Sequence, residues 1–203
     1  MRSLLLAALS VLLMASGAVL VAYFALGFST RYTAQDGAGA GSFDVPVLES
    51  AVDARSTSVE GPEDKTLKVT VPEMARVKNA VVPDAAGDDQ EALRNNVAIH
   101  LKGTGFPWQE GANTYLAGHR LGYPNTDSFL AFWDLDALER GDEVFVEDAD
   151  GNEYRYEVFR EAVVEPTNLE VTRPVPGKDV LTLQSCTLPD YSQRLIVQAE
   201  KVG

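Results

Sequence analysis

Hydrophobic and polar positions divide the chain into three stretches that follow different rules. From Leu4 to Leu26 the side chains are nearly all apolar and none is charged. A helix rising about 1.5 Å per residue extends roughly 35 Å over this stretch, and a hydrocarbon core is about 30 Å thick. The pattern therefore predicts a membrane-spanning helix. A secretory signal peptide has an apolar region of only about 7 to 15 residues, and Ala22-Tyr23-Phe24-Ala25 is a poor cleavage site. Arg2 and the free amino terminus precede the span, which predicts a cytoplasmic N-terminus and an extracellular remainder, so residues 1–27 read as a cytoplasmic tip and membrane anchor. From residue 28 to residue 65 no periodicity is sustained, and Asp36-Gly37-Ala38-Gly39-Ala40-Gly41-Ser42 typifies the composition. This stretch reads as a flexible extracytoplasmic tether.

Residues 66–203 carry the third pattern: short alternating or β-branched runs separated by turn residues, in a length that suits one domain with a core of its own. The runs predict strands at Leu67–Val71, Ala80–Val82, Val97–Leu101, Thr114–Ala117, Glu143–Glu147, Glu153–Arg160, Val180–Gln184 and Gln193–Ala199. Eight strands in one small all-β domain point to a closed barrel, which leaves no exposed edge. Two short helices are expected, at Asp88–Arg94 and Phe132–Leu138, the second stopped by Arg140-Gly141. Asp150-Gly151 predicts a hairpin turn. The alternating acids around it lack the glycine and glutamate positions of a calcium-binding loop.

Charge narrows the function classes. The chain holds 17 Lys and Arg against 30 Asp and Glu, a net charge of −13, which argues against nucleic acid, whose phosphates require clustered cations. One cysteine and two histidines, at 186, 100 and 119, form no zinc pattern, and no glycine-rich phosphate loop is present. No metal and no cofactor are expected. Cys186 is the single cysteine of the sequence and cannot form an internal disulfide, so it is either buried filler or a nucleophile. It ends one apolar run, and Arg194 opens the next. A thiolate requires a nearby base or cation, which His119 can supply while also protonating a departing amine. Arg194 offers permanent charge and several donors for a substrate carbonyl or an oxyanion. Together the three point to amide cleavage through a thioacyl enzyme.

Gly111-Ala112-Asn113-Thr114-Tyr115-Leu116-Ala117-Gly118-His119-Arg120, Leu181-Thr182-Leu183-Gln184-Ser185-Cys186 and Arg194-Leu195-Ile196-Val197 resemble a sortase, the cysteine transpeptidases of Gram-positive cell surfaces. The resemblance extends over the whole region after the tether. It includes His100-Leu101-Lys102-Gly103-Thr104 and Leu138-Glu139-Arg140-Gly141-Asp142. It implies an eight-stranded barrel, with His119 as general acid and base, Cys186 as nucleophile and Arg194 as the group that positions substrate and stabilises the oxyanion. The implied substrates are surface proteins with a C-terminal LPxTG-like or LAxTG-like signal, cut between Thr and Gly, and the implied acceptor is an amine of a peptidoglycan precursor.

Ser185 stands where the family commonly has threonine and keeps the hydroxyl. The segment before His119 and the loop Gly122 to Ser128 resemble class E, or the neighbouring class F. No Asp-Pro-aromatic lid is found in the tether. In the family, the loops before and after the cysteine strand wall the substrate groove. That correspondence nominates Val163, Val164, Pro166, Leu169 and Thr187 as substrate contacts, with Tyr115 and Tyr123 beside the histidine. The rival readings are a different Cys/His acyl transferase of the cell wall and an anchored, non-catalytic barrel that binds a ligand.

Overall fold

The structure is a computed structural model that describes residues 45–48 and 61–202, all within a compact unit running from Phe43 to Gly203. Nine strands are found among the described residues: β1 Leu67–Thr70, β2 Ala80–Val82, β3 Asp84–Ala85, β4 Ile99–Leu101, β5 Asn113–Ala117, β6 Glu143–Glu147, β7 Glu153–Val164, β8 Val180–Cys186 and β9 Arg194–Lys201. They form one sheet in the order β2-β1-β6-β7-β9-β8-β5-β4-β3, which curls into a nearly closed barrel. The expected count of eight is corrected to nine, and β2 and β3 remain as edges. The extra strand, β3, is a two-residue bridge running parallel to β4 after Pro83. Two residues are too few to create an alternation that a sequence pattern can register.

The strand pattern follows from what each face meets. β1 and β6 alternate between buried and half-buried positions, as expected of strands with one covered face. β8 is buried along its whole length, because both of its faces are covered. Leu181 and Leu183 point into the barrel with Leu116, Leu195, Val197 and Ala199. Cys186 belongs to a second cluster on the opposite face, with Tyr115, Ala117, Ile196, Ile99, Leu101 and Leu93. Burying each such leucine contributes on the order of 2 kcal/mol.

Helix α1, Gln90–Asn95, covers that second face through Leu93 and starts at Asp89, whose side chain accepts from the Ala92 N–H at 2.9 Å. The expected second helix is reduced to a 3₁₀ turn at Leu135–Ala137. Residues 128–137 form successive i to i+3 turns, and Leu130 takes a positive φ of 55°. The Phe132 N–H is committed to the His119 carbonyl. A seven-residue segment bound to a neighbour in this way gains little from continuing as an α-helix. Gly151 turns between β6 and β7 with φ 84°, the hairpin expected of Asp-Gly. The Asp148 carboxylate is occupied there by the N–H groups of Asp150 and Asn152, the Asn152 amide and the Tyr154 hydroxyl.

The apolar run Leu4 to Leu26 lies outside the described residues, and among those described no helix is long and apolar enough to cross a membrane. Within the stretch expected to be tether, Val45 is buried against the second cluster and Leu48 packs beside it. Pro62 is also buried, and Gly61 lies so close to the Trp108 indole that a Cβ there would fall 2.0 Å from it. Residues 45–48 and 61–65 therefore pack with the barrel.

His100, on β4, is fully buried; its Nδ1 lies 2.8 Å from Asp84 Oδ1 and its Nε2 lies 3.0 Å from the Gly105 carbonyl. One ring thus ties β3 and β4 to the loop that follows them. His100→Ala is expected to lower unfolding free energy by about 3 kcal/mol, since it empties the space of a fully buried ring and removes the hydrogen bonds to Asp84 and Gly105. Chemical denaturation followed by circular dichroism measures that loss.

Candidate active site

Two strand pairings bring the predicted residues together. β5 runs parallel to β8, with Asn113 opposite Val180 and Ala117 opposite Gln184. Continuing that register by two residues sets His119 level with Cys186. Beyond the end of β5, the Gly118 N–H donates to the Gln184 carbonyl at 3.0 Å, and Ser185 Oγ donates to the Gly118 carbonyl at 2.9 Å. Gly118 is required by close approach, because a Cβ there would meet the Val97 carbonyl at 2.8 Å and the Phe132 ring at 3.0 Å. The small hydroxyl of Ser185 thus helps hold the turn that presents His119.

The second pairing is antiparallel. Cys186 lies directly opposite Arg194 across β8 and β9, and Val164 of β7 pairs with Arg194 from the other side. The loop between them is closed by bonds from the Thr187 N–H to the Gln193 carbonyl at 3.0 Å and from the Tyr191 N–H to the Thr187 carbonyl at 3.1 Å. Arg194 Nη1 donates to the Tyr191 and Gln193 carbonyls, each at 3.2 Å. These bonds tie one terminal nitrogen of the guanidinium to the loop between β8 and β9.

Burial decides the charge of His119. Removal from water disfavours the imidazolium and lowers the His119 pKa to about 4. At neutral pH the ring is uncharged, able to take a proton from a thiol and return it to an amine. The Tyr123 ring stands edge-on to it at 5.5 Å, and the Arg94 guanidinium lies 4.8 Å from the centre of Tyr123. Tyr191 packs on the cluster that contains Cys186, and the pKa of its phenol is pushed upward, first by burial and then by the charge of Cys186.

The nominated substrate contacts divide. Val163 and Leu169 are exposed, Val164 packs against the Cys186 cluster, and Pro166 and Thr187 are half-buried. All five border the loops flanking β8. Tyr115 corrects the expectation: it is fully buried, its hydroxyl donates to Gln184 Oε1, and burial raises its pKa. It points into the second cluster because β5 alternates there, so it supports the site from beneath. Tyr191 and Val171, which also pack on that cluster, were not anticipated. For Tyr191 the available signal was an aromatic residue in the short loop joining the cysteine to the arginine.

Comparison with known proteins identifies the domain. The family model for the sortase domain matches residues 69–202. The chain is 35% identical over 91 residues to sortase A of Streptococcus agalactiae, a match covering 44% of this chain and 36% of that protein. Among solved structures it resembles sortase C-1 of Actinomyces oris at 27% identity and TM-score 0.59, covering 78% of this chain and 88% of that one. It also resembles sortase C2 of Group B Streptococcus pilus island 1 at 28% identity and TM-score 0.58, covering 70% and 77%. A third likeness is the Clostridium perfringens sortase D5 transpeptidase, at 25% identity and TM-score 0.57, covering 69% and 80%.

The depressed His119 pKa has a signed consequence for stability. Between about pH 6.5 and pH 4 the unfolded chain binds a proton at this residue and the folded chain does not, so stability falls as pH drops through that window. Relative to His119→Gln, the wild-type protein should lose up to about 3 kcal/mol between pH 7 and pH 4. Denaturant titrations of the two proteins at matched pH values provide the comparison.

Proposed function

Because the chain belongs to the sortase family, we propose that it is a membrane-anchored cysteine transpeptidase which cuts a sorting signal between Thr and Gly and transfers the acyl fragment to a cell-wall amine. The observation that carries this reading is the double register: β5 and β8 bring His119 level with Cys186, and β8 and β9 set Arg194 opposite it. His119 takes the thiol proton, and the Cys186 sulfur attacks the threonine carbonyl. Arg194 balances the negative charge that develops on the carbonyl oxygen. The carbon–nitrogen bond breaks as the imidazolium gives its proton to the departing glycine amine, leaving a thioester. The acceptor amine then attacks the thioester, its proton passes to His119, and Cys186 is released as thiolate to be reprotonated. Water in place of the amine yields hydrolysis.

The substrates under this reading are surface proteins carrying LPxTG-like or LAxTG-like signals, whose leucine would rest against Val163, Val164, Pro166 and Leu169, with Thr187 beside the reacting carbonyl. The acceptor is an amine of a peptidoglycan precursor. Residues 1–27 would hold the enzyme at the membrane with the N-terminus inside and residues 66–203 outside, where both substrates are found. The sequence before His119 and the loop Gly122 to Ser128 favour class E, or its neighbour class F; the solved relatives above are of classes C and D.

The burial of Cys186 is the observation on the side of a non-catalytic anchored barrel. Alkylation decides between them: a working thiol reacts in the folded protein, and an inert one reacts only after unfolding. The direct experiment incubates the full-length chain with LPxTG and LAxTG peptides and an amine acceptor, and follows the products by mass spectrometry. The expected result is a threonine-linked transfer product that disappears in Cys186→Ala. Arg194→Ala should lower kcat/KM by about 10²- to 10³-fold, as loss of an oxyanion donor does. A folded protein that forms neither a thioacyl species nor a cleaved peptide would overturn the proposal.

A further inference from the structure

The segment between β7 and β8, residues 165–179, packs through Val171 on the cluster that contains Cys186, and the function proposed above takes it as one wall of the substrate groove. Its middle is the 3₁₀ turn Leu169–Thr172, with Asn168 accepting from the Glu170 N–H at 3.1 Å and Thr172 Oγ1 donating to the Leu169 carbonyl at 2.8 Å. These bonds shape the turn but do not fix its height above the sheet. Val171 reaches inward to the cluster that contains Cys186 and Tyr191, and Leu169 faces outward, 43% exposed.

The height is set from below by Asn113. This side chain is buried at the first position of β5, and both donors of its amide are used on the wall: Nδ2 bonds the Val171 carbonyl at 2.9 Å and the Arg173 carbonyl at 3.0 Å. Its Oδ1 accepts from Thr182 Oγ1 at 2.7 Å, and Thr182 Oγ1 accepts from Gln198 Nε2 at 3.2 Å. A chain of hydrogen bonds therefore runs from β9 through β8 and β5 into the turn. Asn113 is the link that leaves the sheet. It also lies on the same face as Tyr115, Ala117 and Cys186, since alternate residues share a face and β5 is in register with β8. At about 3.3 Å per residue it stands roughly 20 Å along the chain from His119, too far to touch reacting atoms.

We infer that Asn113 is a positioning residue for substrate selection: by pinning the Val171 and Arg173 carbonyls it holds the wall at the height that receives the apolar side chain at the start of the sorting signal. The inference rests on the function proposed above, because it takes that wall as the substrate groove. Asn is suited to this task, since one planar group offers two donors to the wall and one acceptor to the sheet. A carboxylate of the same shape would turn two attractive contacts into repulsive ones.

The test uses the full-length protein and variants Asn113→Ala, Asn113→Asp and Thr182→Val, the last keeping the Asn113 donors but removing the hydroxyl that orients them. Hydrogen exchange reads the pinning without reference to activity. Amides of residues 169–173 should exchange about tenfold faster in both Asn113 variants, the effect of losing about 1.4 kcal/mol of local stability, while those of β8 stay protected. Kinetics reads the selection. KM for an LPxTG peptide should rise about tenfold with kcat within about twofold, and the preference for that peptide over one with alanine in place of leucine should shrink. Thr182→Val should give the same changes at smaller size and decides the matter if the Asn113 variants do not fold. Unchanged exchange at residues 169–173 would overturn the pinning. A loosened wall with unchanged KM and unchanged preference would overturn the role in selection. Failure of the wild-type protein to cut either peptide would remove the groove reading beneath the proposal and the selection role with it, independently of the exchange result.

Discussion

The parallel pairing of β5 with β8 is the constraint on which the rest of the site depends. These two strands are separated by more than sixty residues of chain, and in a parallel pair both end at the same edge of the sheet. A residue just past β5 and a residue at the end of β8 must then be neighbours. Gly118 makes the approach close enough, and Ser185 fastens it. A one-residue slip would turn Cys186 to the opposite face and separate it from His119. Such a slip is resisted because the same shift would drive Leu181 and Leu183 out of the barrel interior.

The sheet around β8 is covered on both sides, and this has a price in charge. The second face contains the polar side chains Asn113, Thr182, Gln184 and Gln198 together with Tyr115, all removed from water. Most are bonded to one another, as buried polar groups require. Burial also keeps the His119 ring neutral at pH 7, as the acid and base role proposed for it would require. The same covering brings Val164, Val171 and Tyr191 onto the cluster that contains Cys186.

Loop geometry around the site is supplied by the backbone more than by loop side chains. The segment after Cys186 closes on itself through main-chain bonds, and its carbonyls orient Arg194. The segment before β8 is held by the buried amide of Asn113. In both, a buried strand side chain is bonded to the carbonyls of the adjoining loop.

Much of this protein was legible in its sequence. β2 and β6 fall where alternation predicts them, and most other strands are extended or shortened only at their ends. The hairpin at Gly151 followed from the left-handed freedom of glycine beside Asp150. The proposal of Cys186, His119 and Arg194 as the chemical residues followed from what a lone thiol requires. These features are local, set by neighbours within a few positions, or belong to side-chain chemistry, which does not depend on the fold. Two-residue β3, the shortening of the second helix to a 3₁₀ turn, the burial of Tyr115 and the service of Asn113 to the 165–179 wall were not legible. Each is decided by a partner distant in sequence: β4 for β3, the His119 carbonyl for Phe132, Gln184 for Tyr115, and Val171 for Asn113. The chain by itself determined which groups could react. Tertiary structure decided which of them meet, because only the register of strands far apart in sequence turns an order of residues into distances.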